Sequence, residues 1–198
     1  GAGSGAAITD VLDVLGGTGN IALGSGAMGT ALTTGTDNVA IGENALDAVT
    51  SGADNTAVGD NAAGATTTGS DNVAIGSAAL LVNTTGAGNI SVGSGALDAN
   101  TTGDSNTAVG KAALGGNTTA DQNIAIGRSA LFTNTTGASN VAVGYQALNA
   151  NTTASNNVAI GDVALTVNTT GTDNVAVGSN ALDANTTGND NTAIGDNA

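Results

Sequence analysis

A five-residue motif, Asn-aliphatic-Ala-aliphatic-Gly, returns along this chain with near variants such as NTAIG (191 to 195). It begins at Asn20, Asn38, Asn55, Asn72, Asn89, Asn106, Asn123, Asn140, Asn157, Asn174 and Asn191, the first interval being 18 residues and the other nine 17. A unit this short cannot enclose a core alone. Repeated at fixed spacing, it reads as one coil of a solenoid that each neighbour stabilises. The expected fold is all-β, a parallel β-solenoid or β-roll of 17-residue coils.

Counting each coil from its asparagine, position 3 is Ala except for Ser91, position 4 is Ile, Val or Leu, and position 5 is Gly. Positions 8 and 9 usually read Ala-Leu, and positions 12 to 15 Asn-Thr-Thr-Gly, as in Asn83 to Gly86. Positions 1 to 5 alternate with a period of two, so the aliphatics at 2 and 4 share one face of a strand and position 3 takes the other. Gly and the Asn-Thr-Thr-Gly run supply two turns. Positions 8 to 11, such as Ala45 to Ala48, could form a second short strand or a single helical turn, with the strand slightly preferred.

Two regions result. Residues 1–19 open with GAGSGAA, of linker composition, and Ile8, Val11, Leu12 and Leu15 then fall on one face of a short helix. That helix is expected to cap the first coil or dock one molecule onto the next. Residues 20–198 form ten complete repeats and part of an eleventh. Stopping within a unit suggests a window on a longer array, or an open end covered by the next molecule.

Composition narrows the function. The aromatics are Phe132 and Tyr145 alone, so the core must be thin and built from Ile, Val, Leu and Ala. Cys and His are both absent, which removes disulfides, thiolate metal sites and the usual general base. With no nucleophile or phosphate-loop motif besides, an enzyme is not expected. Sixteen acids against Lys111 and Arg128 give a net charge of −14, which disfavours contact with nucleic acid or anionic lipid. No apolar run approaches the roughly 18 residues of a membrane span, so no direct membrane insertion is expected.

Position 3 suggests a partner. Its small residues, including Ala40, Ala57, Ala74, Ala108, Ala125, Ala142, Ala159 and Ala176, are read as an outward column that another backbone approaches closely. A coil so thin gains by burying a second face, so the expected partner is the chain itself, as a homotrimer or a head-to-tail filament.

NVAIG (38 to 42), NISVG (89 to 93) and NTAIG (191 to 195) resemble the head repeats of trimeric autotransporter adhesins. The fuller unit NVAVGYQALNANTTA (140 to 154) is similar to repeats in phage tail fibres and large bacterial surface proteins. The resemblance covers about nine tenths of the chain and implies a trimeric parallel β-roll, with the pentapeptide aliphatics inside each chain and the small residue facing other subunits. It also implies an extracellular, cell-surface or virion location, with attachment supplied from outside these residues. The expected function is a rigid fibre or filament segment. The alternatives are an adhesin module for a surface receptor, matrix protein or glycan, and an ice-binding solenoid.

Smaller features carry further expectations. Asp37, Asp54 and Asp71 recur as the last residue of their coils, position 17 in the standard coil, where stacked carboxylates would attract Ca²⁺ or simply sit solvated in a turn. No other cofactor is expected. Asn83, Asn89, Asn100, Asn117, Asn134, Asn151, Asn168 and Asn185 head glycosylation sequons, relevant only in a secreted eukaryotic protein. The asparagine columns at positions 1 and 12 are expected to stack as hydrogen-bonded amide ladders. Adjacent threonines in an extended segment point to opposite sides, so only one threonine row is expected to face outward. Lys111, Arg128 and Tyr145 follow one another at position 6, where an Arg–Tyr stack is plausible.

Overall fold

The computed structural model describes residues 18–198, which form a parallel β-solenoid. The helix expected over 8–15 lies outside the described residues. The solenoid's eleven three-residue strands are β1 (Ile21–Leu23), β2 (Val39–Ile41), β3 (Thr56–Val58), β4 (Val73–Ile75), β5 (Ile90–Val92), β6 (Thr107–Val109), β7 (Ile124–Ile126), β8 (Val141–Val143), β9 (Val158–Ile160), β10 (Val175–Val177) and β11 (Thr192–Ile194). They form one sheet in chain order, each strand parallel to the next. Like positions pair throughout, as in Ala108↔Ala125 and Val109↔Ile126. The register survives the longer first interval, since Ile21 pairs with Val39 and the Thr33 amide still donates to Thr50 at 2.8 Å. The extra residue is therefore absorbed between Met28, whose amide also keeps its partner in the next coil, and Thr33.

Gly at position 5 ends each strand. At Gly110 the backbone has φ +132°, and an added Cβ would stand 2.7 Å from the carbonyl carbon and oxygen of Gly127 in the next coil. Only a residue without a side chain permits both that dihedral and that approach.

The second wall, positions 8 to 11, is neither the strand nor the helical turn expected. Positions 7 and 9 are both left-handed, as in Asn44 (φ 52°) and Leu46 (φ 52°), and the segment is a chain of tight turns. It is nevertheless bonded coil to coil: the Leu46 amide donates to Ala62 at 3.1 Å and the Ala48 amide to Gly64 at 3.1 Å. A left-handed leucine costs roughly 1–2 kcal/mol. Burying its side chain returns about as much or more, and Leu46, Leu80, Leu97, Leu114, Leu131, Leu148 and Leu165 are all fully buried.

The two faces of the strand are the reverse of the expectation. Ala40, Ala57, Ala74, Ala108, Ala125, Ala142, Ala159 and Ala176 have no exposed surface and belong to the interior cluster with the position-8 alanines and position-9 leucines. The aliphatics of positions 2 and 4 point outward. The physical reason is cross-section: leucine enters from the second wall, leaving the opposing strand room for only a methyl or a hydroxymethyl group. The alanine column thus fills the coil and offers nothing to another subunit.

Candidate functional site

Each coil is held to the next by side-chain amides buried inside it. At position 1, Asn38 accepts at Oδ1 from the backbone N–H of Asn55 (3.0 Å) and from its Nδ2 (3.0 Å), while Asn38 Nδ2 donates to Asn20 Oδ1 and to Gly52 O (2.9 Å). A second ladder runs through position 12, where Asn100 Nδ2 donates to Asn83 Oδ1 (2.9 Å) and Gly103 O (3.0 Å). It begins only at Asn83. In the two preceding coils its place is taken by Val49 and by Thr66, whose buried Oγ1 has no partner.

These ladders decide the sequons. Asn83, Asn89, Asn100, Asn117, Asn134, Asn151 and Asn168 are fully buried, and Asn185 donates its Nδ2 to Asn168 Oδ1 and Gly188 O. The folded chain withholds the atom that glycosylation would use, so these positions are structural.

The threonines also depart from expectation. Position-13 hydroxyls donate to the next coil's carbonyl, as from Thr84 to Thr101 and from Thr101 to Thr118. Position-14 threonines such as Thr85, Thr102 and Thr119 are exposed beside them, so both rows lie on the outside of a bend. The reason is that positions 12 and 15, on either side, are the ones drawn inward.

Asp37, Asp54 and Asp71 are exposed, left-handed turn residues. Among the described residues no group of three or more acidic side chains comes together in a way that could hold a metal ion. One carboxylate is less solvated: burial raises the pKa of Asp98, against the lowering effect of the N–H groups of Asp98 and Ala99. It stands beside Gly115, over which the Phe132 ring leans from the coil beyond. Arg128 lies over the Tyr145 ring, 6.0 Å from its centroid.

The dominant surface feature is the outer face of the sheet. Two parallel ranks of Ile, Val, Leu and occasional Thr run its whole length, with Ile75, Ile126 and Ile160 about 40% exposed. Sequence reasoning placed these side chains in the core, so this face was missed. Among the described residues no helix is long and apolar enough to cross a membrane. The chain matches no family model, no curated protein and no solved structure.

Proposed function

We propose that this chain is a rigid structural segment of a fibre or filament, and that it self-associates through the outer face of its sheet. The observation that carries this reading is the bare aliphatic face of β1 to β11. Parallel sheets are almost always covered on both faces, and here the chain's own second wall covers only one. Apolar patches larger than a few hundred Å² mark interaction surfaces. Eleven strands at about 4.8 Å make this one near 50 Å long.

A second copy is the proposed cover because the face repeats the same two ranks of mostly aliphatic side chains along its whole length. Three copies around a common axis would bury all three faces and close the assembly. The resemblance to adhesin heads and tail fibres supports an extracellular, cell-surface or virion setting, but the subunit contact proposed here differs from the one it implies, because the small residue of the motif is interior.

Sedimentation equilibrium across a concentration range tests it, with Ile126→Glu/Ile160→Glu as the variant. A species near three times the 18.4 kDa chain is expected for the parent. The variant should sediment as a single chain with an unchanged circular dichroism spectrum, since both sites lie outside the coil. A parent that stays monomeric at every concentration overturns the reading.

The outward pair of threonine rows favours one second reading, ice binding, because hydroxyls recur there at the coil spacing over successive turns. Thermal hysteresis in a freezing assay would support it, and its absence would remove it.

A further inference from the structure

All the cations and all the aromatic side chains of this chain lie in three consecutive coils, residues 106–156. Lys111, Arg128 and Tyr145 occupy position 6 of those coils, one above another. Their backbones are tied in register: the Ser129 amide donates to Lys111 O at 3.0 Å and the Gln146 amide to Arg128 O at 3.1 Å. Side chains so stacked are about 4.8 Å apart at their origins. Like charges on neighbouring coils repel, yet no carboxylate among the described residues forms an ion pair with either. The column has Ser77 and Ser94 before the pair, and its acids, Glu43, Asp60, Asp162 and Asp196, stand farther along it. Arg128 instead leans over Tyr145, which is 43% exposed.

Four residues on from Arg128, at most about 14 Å along the chain, stands the other aromatic. Phe132 is 41% exposed. Gly115-Gly116 is the only Gly-Gly pair at positions 10 and 11 of any coil, and it opens the space that the Phe132 ring enters. Beyond it lies the Asp98 carboxylate, with Oδ1 3.3 Å from where a Gly115 Cβ would be. Neither the interior packing nor the amide ladders require the two cations or the two aromatics.

We propose that coils 106–156 carry a binding site for an acidic saccharide, one in which a sugar bearing a carboxylate or sulfate adjoins a neutral sugar. Lys111 and Arg128 take the anionic group through charge-assisted hydrogen bonds. Tyr145 and Phe132 offer apolar ring surface to the sugar faces. Asp98 sets the polarity: a second anion near Phe132 would be repelled, whereas neutral hydroxyls there find an acceptor.

The test is calorimetric titration of the full chain with a hyaluronan tetrasaccharide, in which uronate and neutral sugars alternate. Its carboxyl-reduced form serves as neutral control, and a disaccharide whose only charge is one sulfate separates sulfate from carboxylate recognition. Binding of either acidic probe but not the neutral one is expected. Lys111→Ser/Arg128→Ser should weaken it by roughly tenfold or more, and Tyr145→Ala and Phe132→Ala by several-fold each. All four sites are on the surface, and an unchanged circular dichroism spectrum checks that each variant folds. The proposal is overturned if neither acidic probe binds the parent, if the cation variant binds as well as the parent, or if both aromatic variants do, which would leave only nonspecific charge attraction.

Discussion

Asn72 and Asn83 donate their side-chain amides to one carbonyl oxygen, that of Gly86, each at 2.9 Å. The same sharing recurs at Gly103, reached by Asn89 and Asn100, and at Ala120, reached by Asn106 and Asn117. From Asn83 onward the two ladders are therefore one network, tied once per coil across its interior. Both lone pairs of that carbonyl are used, and a buried polar interior becomes a cohesive one.

Removing one rung should be costly. Asn123→Ala leaves the Asn140 backbone N–H and Nδ2 without their shared acceptor and Gly137 O without one of its donors. Each buried unsatisfied group costs about 1–3 kcal/mol, so a loss of several kcal/mol is expected. Hydrogen exchange should show it as lost protection centred on the neighbouring coils, because stability in a solenoid is a sum of local terms. Uniform protection matching the parent would mean that water replaces the amide.

Thr66 marks the reverse case. Its Oγ1 is buried without a partner, one coil below the start of the second ladder. Thr66→Val, which copies the residue at the same position one coil earlier, should raise the urea midpoint by the equivalent of about 1 kcal/mol, because an orphan hydroxyl is replaced by an apolar group of the same shape. A lower midpoint would show that the hydroxyl is hydrated.

Val163 has φ 48°, a left-handed conformation that β-branched residues strongly resist. Other coils place Asn44, Asn61, Gly95 and Asn180 at the same point. Val163→Asn should therefore stabilise the chain by roughly 1 kcal/mol, seen as a higher thermal midpoint with unchanged assembly.

Asp98 makes stability depend on pH in the less usual direction. Its pKa in the folded chain is raised above the ordinary 3.8, chiefly by burial. The folded state then holds the proton more tightly than the unfolded one, so the contribution is present at low pH and is lost as pH rises through the interval above 3.8. Asp98→Asn should be more stable than the parent near neutrality, with the gap closing as pH falls below that interval. A gap that does not vary between pH 3 and pH 7 would show that solvation at Asp98 is ordinary.

The serine that interrupts the alanine column calibrates the interior. Ser91 is fully buried and donates Oγ to Ala96 O at 2.7 Å. Ala125→Ser, with Ala130 O equivalently placed, should be close to neutral by thermal denaturation, whereas Ala125→Val should cost about 1–3 kcal/mol through overpacking. Equal tolerance of both would mean that the coil can widen.

Periodicity alone revealed the strands, their parallel pairing, their register and the amide columns, because each of these depends on spacing. Which strand face turned inward did not follow from spacing. Alternation groups Ile124 with Ile126 and sets Ala125 apart, but leaves the inside unassigned, and ranking by hydrophobicity chose wrongly. A usable signal was present in variation between coils. Position 3 admits nothing larger than Ser91, as a size-limited interior would, whereas positions 2 and 4 accept Thr56, Thr107, Val, Ile and Leu, as a surface would. The second wall was harder still, because its left-handed leucines contradict local preference and are held by burial across the coil. The cation and aromatic cluster was visible as residues, but the stacking of Arg128 on Tyr145 and of Phe132 over Gly115 needed coordinates.

The in-register pairing of like positions has a genetic consequence. Excising any 17 residues between two equivalent asparagines, for example from Asn106 to Gln122, would join ladder to ladder and strand to strand with no seam. Tandem repeats in a coding sequence favour such slippage and unequal recombination, and each product would be a solenoid of the same cross-section and different length. A lineage carrying this chain could thus adjust its reach in steps of about 4.8 Å, with copy number acting as a heritable ruler.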